Sequence, residues 1–347
     1  MRSLITTVAV VLTAVVAFGQ GPGPAAPTGP APTGLVVGSG NFFSPIVSDL
    51  EKATAFYGQG LGLELPATAS NADANLPLRQ MFGLPDAHLR WMIGRPGTAR
   101  GGVEIIEPKD ANGKPVVRRL QDGGAFTLVA TVRDLDATLA RLKTLGAPVV
   151  SRGGNPVAMA IDGGKARAVI VSDPDGHFVE LMERDPLPQT QAPPTANVVA
   201  VRVRLTVDDA EKAAQLYGTT LGFQARGTSK FAKDAAMLQL FGLSGAEYRT
   251  ASFEVPTSGL GFDVVEFKGV DRRTVHGNIQ DPGSTRIQLQ VRDAQATIDA
   301  VKKLGGVPVS AGGGTVGLPG RGGATTTVGI VRDPNNLFLV LLQVAPK

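Results

Sequence analysis

The chain has 347 residues, 43% of them hydrophobic and 18% charged, which is long enough for two full cores and too apolar for a disordered chain. A net charge of +4 with no dense run of Lys or Arg lacks the footprint of a nucleic-acid binder, so no nucleic acid is expected as a partner. With 0 Cys, disulfides, thiolate metal sites and thiol chemistry are excluded, and 44 Gly with 25 Pro argue against a helical bundle.

In chain order, residues 1–19 carry one Arg, an uncharged apolar run from Leu4 to Phe18 and then small residues. This is the build of a secretory signal, too short to span a bilayer. It predicts a secreted or periplasmic protein with no membrane association once the signal is cleaved. Residues 20–34, QGPGPAAPTGPAPTG, read as an extended tether. A second Pro-rich break at 185–197 separates two segments, 35–184 and 198–345.

Those segments are copies of each other. VSDLEKATAFYGQGLGLEL from Val47 returns as VDDAEKAAQLYGTTLGFQA from Val207, an offset of 160, and MFGLPDAHLR from Met81 returns as LFGLSGAEYR from Leu240, an offset of 159. Each copy holds a shorter rhythm twice: a strand ending in Val-x-Asp, an amphipathic helix, Leu-Gly, then more strands. Asp49, Asp134, Asp209 and Asp293 are placed to cap the helices, and Gly62, Gly146, Gly222 and Gly305 to stop them. The fold class is therefore α+β, with two tandem domains of two βαβββ modules each. Each pair of modules is expected to form a curved mixed sheet around a cleft, with the insertions at 67–87 and 227–246 lining its mouth.

The stretch Val47 to Ala53 with Phe56-Tyr57 and Leu61-Gly62, the strand Val103 to Glu107, Val132-Arg133-Asp134, and Asp173-Pro174-Asp175-Gly176-His177 leading to Glu180 together resemble the vicinal oxygen chelate superfamily. That superfamily includes glyoxalase I, the bleomycin resistance proteins and the extradiol dioxygenases. The resemblance covers about residues 36–184 and 198–345 and implies a cleft in which side chains of the first and last strands of the modules hold a divalent cation, commonly through histidine. At those positions the first domain has Phe42, Glu104, Thr127 and Glu180, and the second has Arg202, Asp263, Arg286 and Val340. Histidine stands at none of them.

Glu104 and Glu180 are then the metal candidates of the first domain, an oxygen pair suited to weakly held Mg²⁺, Mn²⁺ or Ca²⁺. The alternative for Glu180 is an edge-strand carboxylate paired with an arginine such as Arg90. Of the three histidines, His177 has the wrong strand parity to join Glu180, and His88 and His276 read as surface residues. In the second domain no cofactor is expected, because two guanidinium groups repel a divalent cation.

Arg202 and Arg204 share a strand face, as do Arg286, Gln288 and Gln290. Arg202 and Arg286, with Asp263 orienting one of them, are expected to bind a small anion. An internal Arg-Asp-Arg network is the alternative. Phe42 and Thr127 complete the set of ligand-binding candidates. The resemblance implies lyase, isomerase or dioxygenase chemistry centred on the first domain, or else non-catalytic binding of a small anionic or hydrophobic molecule. No catalytic residue is assigned, and either a monomer or a homodimer satisfies the pairing of modules. The glycine-rich run at 310–323 lacks a phosphate-loop frame and reads as a hairpin or cleft cover.

Overall fold

The computed structural model describes residues 34–97, 101–319 and 324–344. The signal at 1–19, the tether residues before Gly34 and residues 320–323 of the glycine-rich run lie outside them. Four modules follow one another. The first contains β1 (Val36–Ser39), β2 (Ser44–Pro45), α1 (Leu50–Thr54), β3 (Ser70–Asn71), α2 (Leu76–Met81), β4 (His88–Gly94) and β5 (Val103–Lys109). The second contains β6 (Phe126–Val132), α3 (Leu135–Thr144), β7 (Val157–Ile161), β8 (Gly164–Ser172) and β9 (Phe178–Asp185). The third contains β10 (Val198–Thr206), α4 (Ala210–Ala214), β11 (Gln224–Thr228), α5 (Ala235–Leu240), β12 (Glu247–Glu254) and β13 (Gly261–Lys268). The fourth contains β14 (Thr285–Val291), α6 (Ala294–Lys303), β15 (Val307–Pro308), β16 (Val316–Pro319), β17 (Thr325–Arg332) and β18 (Phe338–Gln343).

The local signals act as the sequence predicts. Each of Asp49, Asp134, Asp209 and Asp293 accepts a backbone N–H from the first turn of its helix, and Gly62, Gly146, Gly222 and Gly305 all have positive φ. After α1 and α4 the chain continues into a π-helical turn, Ala55–Gly60 and Gln215–Thr220. Each turn buries a tyrosine whose hydroxyl donates to the aspartate of the later Asp-Pro motif: Tyr57 to Asp173 at 3.0 Å, and Tyr217 to Asp333 at 2.5 Å. These two bonds tie together the modules within each half.

The sheets do not follow the halves. β6 of the second module pairs antiparallel with β10 of the third, giving one sheet ordered β11-β12-β13-β10-β6-β9-β8-β7. β1 of the first module pairs antiparallel with β14 of the fourth, in a sheet that continues through β18 and β17. The sequence similarity runs between 35–184 and 198–345, but neither segment encloses a cleft by itself. One cleft is built by the first and fourth modules, and the other by the second and third. The physical reason is that every module leaves its first strand with an unpaired edge, and duplication does not say which two edges meet.

One apolar core holds all four modules, with Phe43, Leu128, Val203 and Ile287 among its fully buried members. Odd-numbered residues of β14, Ile287, Leu289 and Val291, point into it, which leaves Arg286, Gln288 and Gln290 for the cleft side, as strand alternation requires. A separate apolar cluster lies in each cleft. Trp91, Phe82, Ile330 and Val340 belong to the first-and-fourth cleft, and Ile170, Phe178, Phe241 and Val265 to the second-and-third.

Candidate functional clefts

In the cleft between the first and fourth modules, β14 brings Arg286 opposite Ser44 of β2. Arg286 Nη2 donates to Glu104 Oε2 at 2.9 Å, and Ser44 Oγ donates to the same oxygen at 3.3 Å. The guanidinium carbon lies 4.4 Å from the centroid of the Phe82 ring, a cation–π arrangement. Arg286 is 1% exposed, and burial pushes its pKa down, with Glu104 opposing the shift. Its Nε–H has no acceptor among the described residues. A cavity of about 20 Å³ adjoins it, lined by Trp91, Phe82, Glu104, Gln288 and neighbouring apolar side chains.

The cleft between the second and third modules meets its charges in another way. Arg204 of β10 stands opposite Thr127 of β6, and its Nη1 donates to Glu180 Oε2 at 2.5 Å. Its guanidinium carbon lies 5.4 Å from the Phe241 ring centroid. Burial pushes Arg204 down as well, but Glu180 and then Asp263 outweigh it and the net shift is upward. Arg202, with 47% of its side chain exposed, forms a forked pair with Asp263 at 3.1 and 2.7 Å. Glu180 is 0% exposed, and its Oε1 has no partner among the described residues.

The helices α2 and α5, each with the Phe-Gly that follows it, cover the two clefts as lids, and both lids are pinned by a serine from the facing module. Ser310 Oγ donates to the carbonyl of Met81 and accepts from Ile330 N–H, while Ser151 Oγ donates to Leu240 and accepts from Ile170 N–H. The Phe-Gly that ends each lid helix is required by close approach. A Cβ on Gly83 would sit 2.4 Å from the Val309 carbonyl oxygen, and one on Gly242 would sit 2.6 Å from that of Val150. The insertions do line the cleft mouths.

Several expectations need correction. Glu104 and Glu180 are on different sheets and face different arginines, so they do not form one metal pair. Arg202 and Arg286 are likewise in separate clefts and do not share an anion. Phe42 packs into the central core, because β1 and β2 are separate short strands and Ser44, not Phe42, reaches the cleft. Glu180 pairs with Arg204, while Arg90 bonds Glu51 and Glu107. Thr127 is 1% exposed on the cleft floor. His177 sits at the turn before β9, with Nδ1 2.9 Å from Asp173 and Nε2 3.1 Å from the Ser284 carbonyl, so it joins two modules and takes no place beside Glu180.

Arg204, Ser44, Phe82 and Phe241 are the cleft residues that carry-over by spacing misses. Strand alternation puts Arg204 on the face of Arg202, and the recurring Phe-Gly-Leu marks both rings. A divalent cation does not fit either constellation. Each carboxylate is already bonded to a guanidinium, and among the described residues no group of three or more His, Cys, Asp or Glu is placed to hold a metal.

Residues 41–181 match the family model of the Glyoxalase/Bleomycin resistance protein/Dioxygenase superfamily. Residues 41–181 carry a domain of this superfamily. Solved structures similar to it include glyoxalase I from Zea mays, with 17% identity, TM-score 0.54, and 89% of this chain and 92% of that one covered. A mutant form of the Zea mays enzyme gives 16% identity, TM-score 0.55, and 89% and 92% coverage. A candidate dioxygenase from Bacillus subtilis subsp. subtilis str. 168 gives 16%, 0.52, and 90% and 87%. None of the curated proteins matches the sequence. At these identities the likeness shows a shared fold, and the superfamily scaffold leaves the reaction open. The family-model segment holds the first two modules, which lie in different clefts of this chain.

Proposed function

We propose that this protein is a metal-independent, small-molecule-binding member of the superfamily, in which guanidinium groups stand where the resemblance puts a cation. The observation that carries this reading is that both clefts bond their floor carboxylate to an arginine of the facing module, Glu104 to Arg286 and Glu180 to Arg204. A divalent ion would have to displace a buried, charge-assisted hydrogen bond and then lie beside the displaced cation. Both clefts are completed within one chain, which supports a monomer. The apolar run at Leu4–Phe18 and the lack of cysteine support export to the periplasm or medium.

The test is metal analysis of protein purified without chelator, followed by calorimetric titration with Mn²⁺, Ni²⁺ and Zn²⁺. Metal content well below one ion per chain and no saturable heat are expected. A stoichiometric ion that is lost in Glu104→Gln or Glu180→Gln would overturn the reading. Export is checked by cell fractionation and by N-terminal sequencing of the mature protein, with a start near residue 20 expected.

A further inference from the structure

The two lid rings reach their guanidinium partners from equivalent places, yet those partners are not equivalent. Phe82 and Phe241 occupy matching positions of the repeat at an offset of 159. Arg286, by contrast, aligns with Thr127 at the same offset, and Arg204 aligns with Ser44 at 160. A ring stacked on a guanidinium is therefore a property that each cleft has reached with a different arginine, and not a contact copied by duplication. In the first-and-fourth cleft the stack has donors to spare. Arg286 Nε–H is buried with no acceptor among the described residues, and Arg286 lines the cavity. Gln288, also lining it, has its Oε1 taken by the Asn41 N–H at 3.0 Å, which leaves its amide N–H₂ to donate. The position that carries Glu180 in the other cleft is Val340 here, so no second protein carboxylate competes for that edge.

We propose that this cleft is a binding site for a small planar carboxylate, whose two oxygens accept from Arg286 Nε–H, in the guanidinium plane, and from the Gln288 amide, while its flat group extends between the apolar walls into space that the Phe82 ring vacates. Phe82 is the gate. The cavity as it stands, about 20 Å³, has room for about one water, so entry requires the ring at the end of α2 to swing off the guanidinium. Trp91 and Met81 form apolar walls for the ring of the ligand. The proposal rests on the metal-free reading above.

The chain has 1 Trp, and Trp91 lines the cavity, so its fluorescence reports this cleft alone. The probe is benzoate, titrated into the mature protein in EDTA, with benzyl alcohol as the neutral control. Saturable quenching by benzoate is expected, with benzyl alcohol about tenfold weaker or more, as loss of one charge-assisted contact implies. Phe82→Ala should tighten benzoate several-fold by removing the closed state, and Gln288→Leu should weaken it. Because Arg286→Met alone strands a buried carboxylate, the double variant Arg286→Met/Glu104→Leu is used to remove the donor, and it should abolish the response. The proposal is overturned if benzoate leaves Trp91 silent in both the wild type and Phe82→Ala, if the double variant still binds, or if benzyl alcohol binds as well as benzoate. A response seen only before EDTA is added would instead overturn the metal-free reading.

Discussion

The two clefts of this molecule are built from segments of similar sequence and balance their charges differently. Where the first and fourth modules meet, a single buried pair, Arg286 and Glu104, is backed by Ser44. Where the second and third meet, two arginines face two carboxylates, and the outer pair is half open to solvent. The absence of a glutamate at Val340 follows. The arginine of that cleft is already met by Glu104, so the closed cleft needs no second protein carboxylate to balance it. The two inner pairs, Arg286 with Glu104 and Arg204 with Glu180, also tie modules together, since in each the acid and the base come from different ones, whereas Arg202 and Asp263 both belong to the third. A buried pair of this kind contributes little net stability, but losing one partner is costly.

That difference can be broken by substitution, and the largest effects should come from stranding a buried charge. Arg286→Met and Glu180→Leu should each cost about 3–5 kcal/mol in denaturant unfolding, whereas Arg202→Met, at the open mouth, should cost about 1 kcal/mol or less. Equal losses from all three would erase the distinction between the clefts. Pairing Arg286→Met with Glu104→Leu should recover most of the loss, because no buried charge is then left unmatched.

A smaller effect comes from the Asp-Pro turn of the fourth module. Burial pushes the Asp333 carboxyl up to about 6, against bonds from Tyr217 and the backbone N–H groups of Leu337 and Asn335. Its pKa when unfolded is about 4. The folded state therefore holds the extra proton, and the stabilisation, about 3 kcal/mol, is fully present below pH ~4 and is lost as pH rises through about 6. Asp333→Asn should flatten that part of the stability–pH curve, and a curve unchanged by the substitution would remove Asp333 as its source.

The smallest effect compares the lids. Ser310→Ala and Ser151→Ala each leave a buried carbonyl and a buried N–H unpaired, so losses of about 1–3 kcal/mol are expected. Hydrogen exchange should show faster opening of 76–84 in one variant and 235–243 in the other. If either serine can be removed without loosening its lid, that lid is held by apolar packing alone.

Much of this architecture is legible in the sequence because its signals are local. The caps at Asp49 and Asp209, the glycine stops and the parity of Ile287 against Gln288 depend on residues within a turn or a strand. The partnership of modules is not legible, since it is decided by which strand edges meet, and the four first strands carry nearly the same pattern. The site suffers most from that gap. Glu104 and Glu180 do stand on last strands, but reading them as one pair requires their modules to be partners. The two-residue difference between Phe42 and Ser44 arises from the break between β1 and β2, which spacing from Val-x-Asp passes over. Arg204 is visible beside Arg202, yet only register with Thr127 puts it within reach of Glu180.

The pairing of β1 with β14 also sets a timetable for biogenesis. The second and third modules, adjacent in the chain, can close as soon as Lys268 leaves the ribosome. The first must wait, with its apolar cleft face uncovered, until β18 follows, an interval on the order of ten seconds or more at ordinary translation speeds. Until then it is a ready target for chaperones and for wrong partners, including the opening module of a neighbouring nascent chain.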